Sequence, residues 1–240
     1  MNTAIILITR YDSTRLKGKH VLEINGETMT DILIKRLKKS GLPVIMATPF
    51  TDNDRTYMFP IAKRNGIGYF AGDVENILER QRNCAKQNNI DYIVTVEGDD
   101  ILTCPSVIKE MRGIIDWVTP DVIRTAELPI GLNVIGYKTE VIENIDSDVS
   151  TGWCNKVHNM PCVMVNYRLN REYWLTMDYP QDFELVKHIL LNCADNETPQ
   201  GIINYLDENP EIAQINAESA KIYWEAYRKR LKGNPDNVNY

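Results

Sequence analysis

Ile5-Ile6-Leu7-Ile8 runs directly into Thr9-Arg10-Tyr11-Asp12-Ser13-Thr14-Arg15-Leu16-Lys17-Gly18-Lys19. An unbroken apolar run of this length reads as a strand buried on both faces. The loop after it carries two arginines, two lysines, hydroxyls and a glycine, so positive charge is delivered to the carboxyl end of that strand. Ligands of open α/β sheets bind at that end. Cationic side chains and free backbone N–H groups there suit a polyphosphate. A solvated turn would have the same composition, so the reading needs support from the rest of the chain.

Outward from this loop, strands and helices alternate. The spacing of apolar residues predicts strands over 4–8, 44–47, 68–70 and 92–96, and helices over 29–39, 54–64, 74–87 and 105–117. Asp73 is the expected N-cap of the third helix, and Pro105 sits in the first turn of the fourth. Such alternation means βαβ units and a mostly parallel sheet. The second half is less regular. Strands are expected over 121–125, 133–137, 161–166 and 174–177, and helices over 139–145, 180–192 and 219–231. No repeat or Pro/Ser-rich linker interrupts the chain. A single domain over 1–232 is expected, with an irregular lobe over about 125–175 closing on a substrate and a disordered tail over 233–240.

Composition narrows the partners. The chain has 240 residues, an apolar fraction of 43% and a net charge of −6. That size supports a real core, and the acidity argues against nucleic acid or an anionic membrane. No segment reaches the roughly 20 apolar residues of a membrane span. The short N-terminal apolar run has no basic start and is not read as a signal peptide. A cytoplasmic location is the expectation. The five cysteines are odd in number and contain no C-x-x-C pair, which fits reduced thiols. Cys154, His158 and Cys162 share a four-residue spacing, but a fourth zinc ligand is missing and Pro161 breaks the alignment.

Two carboxylate motifs complement the basic loop. Val96-Glu97-Gly98-Asp99-Asp100 closes the strand expected over 92–96, and Thr176-Met177-Asp178-Tyr179-Pro180 closes the one expected over 174–177 just before a helix. Carboxylates at a phosphate site are how proteins hold Mg²⁺, together with waters and the substrate's own phosphates. Asp182 is read as a local cap. No nucleophile motif is evident, and Gly18-Lys19 lacks the frame of a P-loop.

The order Arg10-x-x-Ser13-Thr14-Arg15-Leu16-x-Gly18-Lys19 resembles the signature loop of the cytidylyltransferases that activate acidic sugars. That group holds the manno-octulosonate and acylneuraminate cytidylyltransferases and the related spore-coat polysaccharide proteins. Gly98-Asp99 is similar to the family's central Gly-Asp pair, and Asp178-Tyr179-Pro180-Gln181-Asp182-Phe183 to its late Asp-x-Pro-Glu-Asp segment. Residues 26–37, 72–80 and Pro129-Ile130-Gly131-Leu132-Asn133 resemble further family segments, so the likeness runs in order over about residues 4–192. Lys17 stands where the family usually has proline, Glu97 where the octulosonate branch has glutamine, and the stretch from Asp100 to Pro105 departs from the tight Gly-Asp-x-Pro.

The resemblance implies a three-layer α/β/α, Rossmann-like nucleotide-diphospho-sugar transferase fold. It implies a Mg²⁺-dependent transfer of CMP from CTP to an acidic sugar or similar anionic acceptor, in surface polysaccharide or glycoconjugate synthesis. Thr9, Arg10, Ser13, Thr14, Arg15, Lys19 and Glu97 would bind nucleotide, with Arg10, Lys19 and Asp99 catalytic and Asp99 and Asp178 on the metal. A homodimer is expected, and neither nucleic acid nor membrane as partner. For the acceptor, the candidates in the irregular middle are Arg124, Asn133, Tyr137, Lys156 and His158, with Trp153, Asn155 and Arg168 beside them. Two alternatives stay open: a nucleotidylyltransferase for a phosphonate or another phosphorylated small molecule, and a catalytically silent nucleotide-binding homologue. A glycosyltransferase of the same fold would carry a D-x-D spacing, which Asp99-Asp100 lacks.

Overall fold

The computed structural model describes residues 1–143, 145 and 155–231. Among the described residues the strands are β1 (Thr3–Ile8), β2 (Glu23–Ile24), β3 (Glu27–Thr28), β4 (Val44–Pro49), β5 (Gly68–Gly72), β6 (Tyr92–Glu97), β7 (Val122–Ala126), β8 (Ile135–Lys138) and β9 (Val163–Asn166). The α-helices among those residues are α1 (Met29–Lys38), α2 (Asp52–Arg64), α3 (Ile77–Gln87), α4 (Pro105–Val118), α5 (Thr139–Glu143), α6 (Asn155–His158), α7 (Pro180–Asn192), α8 (Pro199–Glu208), α9 (Pro210–Ala213) and α10 (Ser219–Leu231). Seven strands form one sheet in the order β5-β4-β1-β6-β8-β7-β9, while β2 and β3 pair as a small hairpin. β8 alone runs antiparallel to its neighbours, β6 and β7. All other pairs of the large sheet are parallel.

Strand burial on both faces explains the layering. Along β1, Ile5 and Leu7 face one core, and Ala4, Ile6 and Ile8 face the other. The period of two puts successive side chains on opposite faces. The first core takes Met29, Leu33, Ile34 and Leu37 of α1, Met58 and Ile61 of α2, Val107, Ile108, Met111 and Ile115 of α4, and the apolar faces of α7 and α8. The second takes Leu78, Cys84 and Ala85 of α3, Ile142 of α5 and Val157 of α6. Helices therefore cover both faces of a mostly parallel sheet, as the sequence led us to expect.

Local chemistry sets the element ends. Thr28 caps α1 by accepting from Asp31 N–H, and Asp31 reaches back to the Thr28 backbone in a capping box. Pro105, Pro180 and Pro199 each open a helix, where a missing N–H is no loss. The buried Arg36 of α1 is satisfied by carbonyls, donating to Leu102, Thr103 and Asn196, and so ties α1 to the connection before α4.

Two expectations are corrected. The third helix starts at Ile77 with Asn76 as its cap, three residues later than the sequence suggested. Asp73 does not cap it: its carboxylate accepts from the backbone N–H groups of Glu75 and Asn76 at 2.9 and 2.6 Å, an Asx-type turn that competes with helix. Residues 174–177 do not form a strand either. They make one isolated bridge, Trp174 with Ile130. Their N–H groups go to different partners, Leu175 to Ile130 and Met177 to Asp99, both at 2.9 Å, so no continuous ladder forms.

This extended segment crosses the Pro129–Leu132 turn closely. Gly131 has φ +98, and a Cβ there would meet the backbone of Leu175 and Thr176 at 2.3 and 2.4 Å. Gly131→Ala is therefore expected to destabilise the chain by about 2 kcal/mol or more, read as a lower midpoint in urea unfolding; an unchanged midpoint would refute the close approach.

Candidate active site

The carboxyl ends of β1, β4 and β6 share one rim, because the three strands are parallel and in register, with Ile8 beside Ala47 on one side and Glu97 on the other. Residues 9–19 leave β1 on that rim. Tyr11 N–H donates to Asp54 at 2.7 Å, and its ring stacks on Tyr57 with centroids 4.0 Å apart, so the loop is fastened to α2. Leu16 N–H donates to the Ser13 hydroxyl at 3.4 Å, and Gly18, at φ +66, turns the chain into a single 3-10 turn over Lys19–Val21. Only residues free of a Cβ clash adopt such a φ easily.

Lys19 is the centre of the arrangement. It is 4% exposed, and its ammonium donates to Asp99 Oδ2 at 2.7 Å, to the Met177 carbonyl at 2.8 Å and to Asp178 Oδ1 at 3.0 Å. Arg15 Nη2 donates to the same Asp178 oxygen at 2.5 Å, and its guanidinium lies over the Tyr223 ring of α10, 5.0 Å from the centroid. Residues 80 and 159 positions away thus meet at one nitrogen. Burial opposes the Lys19 charge, but Asp99 and Asp178 outweigh it and raise its pKa. Burial likewise opposes ionisation of Asp99, and Lys19 overcomes it, holding Asp99 below the usual carboxylate range. Asp100 goes the other way: burial and the neighbouring carboxylates Asp99 and Glu97 push it well above that range. A buried, paired cluster of this kind is costly unless its partners are complete.

The surroundings hold the cluster in shape. Gly98 N–H extends the β1–β6 pairing by donating to the Ile8 carbonyl at 2.7 Å. A Cβ on Gly98 would lie 2.6 Å from Thr9 and 3.1 Å from His20, so a side chain there does not fit. His20 is buried, with Nδ1 3.1 Å from the Gly98 carbonyl. Asp182 accepts the N–H groups of Asp178 and Tyr179 at 2.9 and 2.7 Å, and accepts from Asn216 at 2.7 Å. It fixes the backbone that presents Asp178.

The residues singled out from sequence separate into three groups. Lys19, Asp99, Asp178 and Arg15 come together in direct contact. Thr9, Arg10, Ser13, Thr14 and Glu97 share the rim with them: Thr9 is buried, with a hydroxyl that has no partner among the described residues, and Arg10, Thr14 and Glu97 are exposed. The acceptor candidates are scattered. Tyr137 must be withdrawn as an acceptor contact, because it is fully buried in β8 with its hydroxyl on Gln81 and Thr95, at 2.5 and 2.8 Å. Asn133 spends its amide on the Leu128 and Pro129 carbonyls of its own turn. Lys156 is exposed in α6, and His158 lies near Arg124, whose charge adds to burial in lowering the histidine pKa. Trp153 and Cys154 lie outside the described residues. Among those residues no cluster of three metal-ligating side chains occurs. Tyr223 meets Arg15 across the fold, and nothing in the sequence of its helix signals a contact with the loop.

Known proteins resemble this chain in sequence and in fold. Residues 4–114 match the family model described as cytidylyltransferase. An uncharacterised protein of Methanocaldococcus jannaschii is 27% identical over 88% of this chain and 93% of its own. The 3-deoxy-manno-octulosonate cytidylyltransferase of Fusobacterium nucleatum is 32% identical, over 40% of this chain and 39% of that enzyme. Among solved structures, a cytidylyltransferase from Leptospira borgpetersenii superposes with a TM-score of 0.80 at 23% identity, covering 89% of this chain and 97% of that one. A CMP:2-keto-3-deoxy-manno-octonic acid synthetase complexed with CTP gives 0.61 at 14% identity, over 80% and 99%. At these identities the structures establish the fold.

The geometry around His20 generates a pH prediction. Burial and the adjacent Lys19 lower its pKa from 6.5 to about 3. The unfolded chain takes up a proton that the folded His20 refuses, so this contribution to stability is full above about pH 6.5 and is lost as the pH falls below it. Urea unfolding at pH 7 and pH 5 should show that loss in the native chain and a smaller one in His20→Gln; equal losses would place the protonation elsewhere.

Proposed function

We propose, for a chain whose residues 4–114 belong to the cytidylyltransferase family, that it transfers CMP from CTP to an acidic sugar or similar anionic acceptor and releases pyrophosphate. The observation that carries this reading is the meeting of the strand-end basic loop with Asp99 and Asp178 through Lys19 on one rim of the sheet. A P-loop or a covalent nucleophile would call for different residues, and phosphoryl-type transfer needs mostly positioning and charge neutralisation.

In the reaction, an acceptor hydroxyl oxygen attacks the α-phosphorus and gives up its proton to solvent, the new P–O bond forms, and the bond to the bridging oxygen breaks with its electron pair leaving on pyrophosphate. Arg10, exposed just past the end of β1, would meet the triphosphate from the loop side. Ser13, Thr14 and the loop's backbone N–H groups would add donors, as would the Thr9 hydroxyl, which has no partner among the described residues. Lys19 and Arg15 bring charge to the departing phosphates. Glu97, exposed at the end of β6, would meet the ribose or base.

Asp99 and Asp178 suit a divalent cation. Their oxygens converge within 3.0 Å of one cationic nitrogen, and two hard carboxylates match an ion such as Mg²⁺ that keeps waters and takes substrate phosphates as further ligands. Such an ion would screen the phosphate charge and polarise the acceptor oxygen. Of the acceptor candidates, Arg124 and Lys156 carry the positive charge that suits an anionic acceptor, and Arg124 Nε is buried without a partner among the described residues; His158, whose pKa burial and Arg124 lower, would serve as a neutral hydrogen-bonding group. The two-subunit assembly, the cytoplasmic location and the single domain remain part of the same reading.

The decisive assay is pyrophosphate release with Mg²⁺, crossing CTP, UTP, ATP and GTP with sugar acids and phosphonates. Release with CTP and one sugar acid supports the reading; release only with a phosphonate moves the acceptor class, and nucleotide binding without release marks a silent homologue. Asp99→Asn should abolish release in a chain that still folds, with a lowered melting midpoint because the buried Lys19 loses one of its anions, whereas retained turnover removes Asp99 from the metal. Lys19→Ala should weaken CTP binding by about tenfold or more, measured by calorimetry, and unchanged affinity means the loop faces elsewhere. Chelation by EDTA should stop turnover and added Mg²⁺ restore it.

A further inference from the structure

We infer that Lys19 is the built-in counter-ion of the Asp99–Asp178 pair, and that it must vacate the pair before a divalent cation can enter, so that metal and nucleotide are taken up together. The inference rests on the reading of Asp99 and Asp178 as metal ligands.

The ammonium of Lys19 already occupies the point where both carboxylates converge. All three of its N–H donors are used, on Asp99, Asp178 and the Met177 carbonyl at 2.7, 3.0 and 2.8 Å. Arg15 holds the same oxygen of Asp178. Two cations and two carboxylates therefore close a neutral cluster, and the Asp178 side chain is 2% exposed. A divalent ion arriving alone would add charge to a neutral site and meet the ammonium at short range, where like charges repel strongly in a medium of reduced dielectric. It would also have to leave the ammonium buried without an anion.

A triphosphate removes both obstacles. It supplies anionic oxygens to which Lys19 and Arg15 can transfer, and it supplies the remaining ligands of the ion. Lys19 is suited to the exchange, since its charge rides on a flexible four-carbon stem, and Gly18 and the 3-10 turn fix its base on the rim. The cation held in the nucleotide-free site and the cation of the reacting site then trade places.

The test is Mn²⁺ binding by the full chain, followed by electron paramagnetic resonance, without nucleotide and with CTP. The native chain is expected to bind Mn²⁺ weakly alone and about tenfold or more tightly once CTP is present. Lys19→Met should bind nucleotide-free Mn²⁺ about tenfold or more tightly than the native chain, and the gain should vanish in the double variant with Asp178→Asn. Equal Mn²⁺ affinity in the native chain and Lys19→Met, abolished by Asp178→Asn, overturns the exchange while leaving the metal site in place. Mn²⁺ bound by neither protein, with or without CTP, overturns the metal reading and the exchange with it. Should Lys19→Met not fold, melting curves of the native chain decide: Mn²⁺ alone should leave the midpoint unmoved and Mn²⁺ with CTP should raise it, whereas an equal rise with Mn²⁺ alone overturns the exchange.

Discussion

A buried ammonium with two carboxylates is the constraint on which the rest of this structure turns. Charge taken out of water must be paired, or the fold loses several kcal/mol. Lys19 reaches its partners only if the 9–19 loop, the end of β6 and the segment before α7 arrive together. Much of the neighbouring detail serves that meeting. Gly98 leaves room for Thr9 and His20, Asp54 and Tyr57 fasten the loop, and Asp182 holds the backbone of Asp178. These contacts are structural in kind, yet each one fixes the position of a charged atom.

The first half of the fold was legible because periodicity and burial agree there. β1, β4 and β6 are buried on both faces over nearly their whole length and read as mainly apolar runs, while α1 and α4 present regular apolar faces. The errors have local causes. Asp73 looked like a cap, but an Asx turn at 73–76 satisfied the same backbone groups without helix. Residues 174–177 have strand composition, yet their partners are split between Ile130 and Asp99. The hairpin of β2 and β3 went unread although Asn25-Gly26, both with positive φ, carries the turn signal in plain view.

The convergence of the basic loop with Asp99 and Asp178 was legible to the same degree. A basic loop and two aspartates at strand ends pointed to one rim, and the chain brings them into contact. What the sequence did not contain was their pairing: positive residues expected to be free for phosphate are already engaged by the carboxylates. Tyr137 misled because a tyrosine in an irregular region looks like a ligand contact; the antiparallel insertion of β8 beside β6 buries it instead. Tyr223 was out of reach of sequence reasoning, since a contact between α10 and Arg15 depends on tertiary packing across most of the chain.

The position of Asp178 along the chain has a consequence for biogenesis. β1, β4, β5, β6 and the helices between them are made of neighbouring βαβ units, and such local contacts form early as a chain is synthesised. Lys19 and Asp99 both belong to this early-made part, but Asp178 is translated much later. Until it emerges, a nascent chain carries Lys19 with half of its compensation and Arg15 with none from this source. The stretch that carries the family's sequence pattern is thus electrostatically unfinished when it is first made, and the last third of the chain completes it.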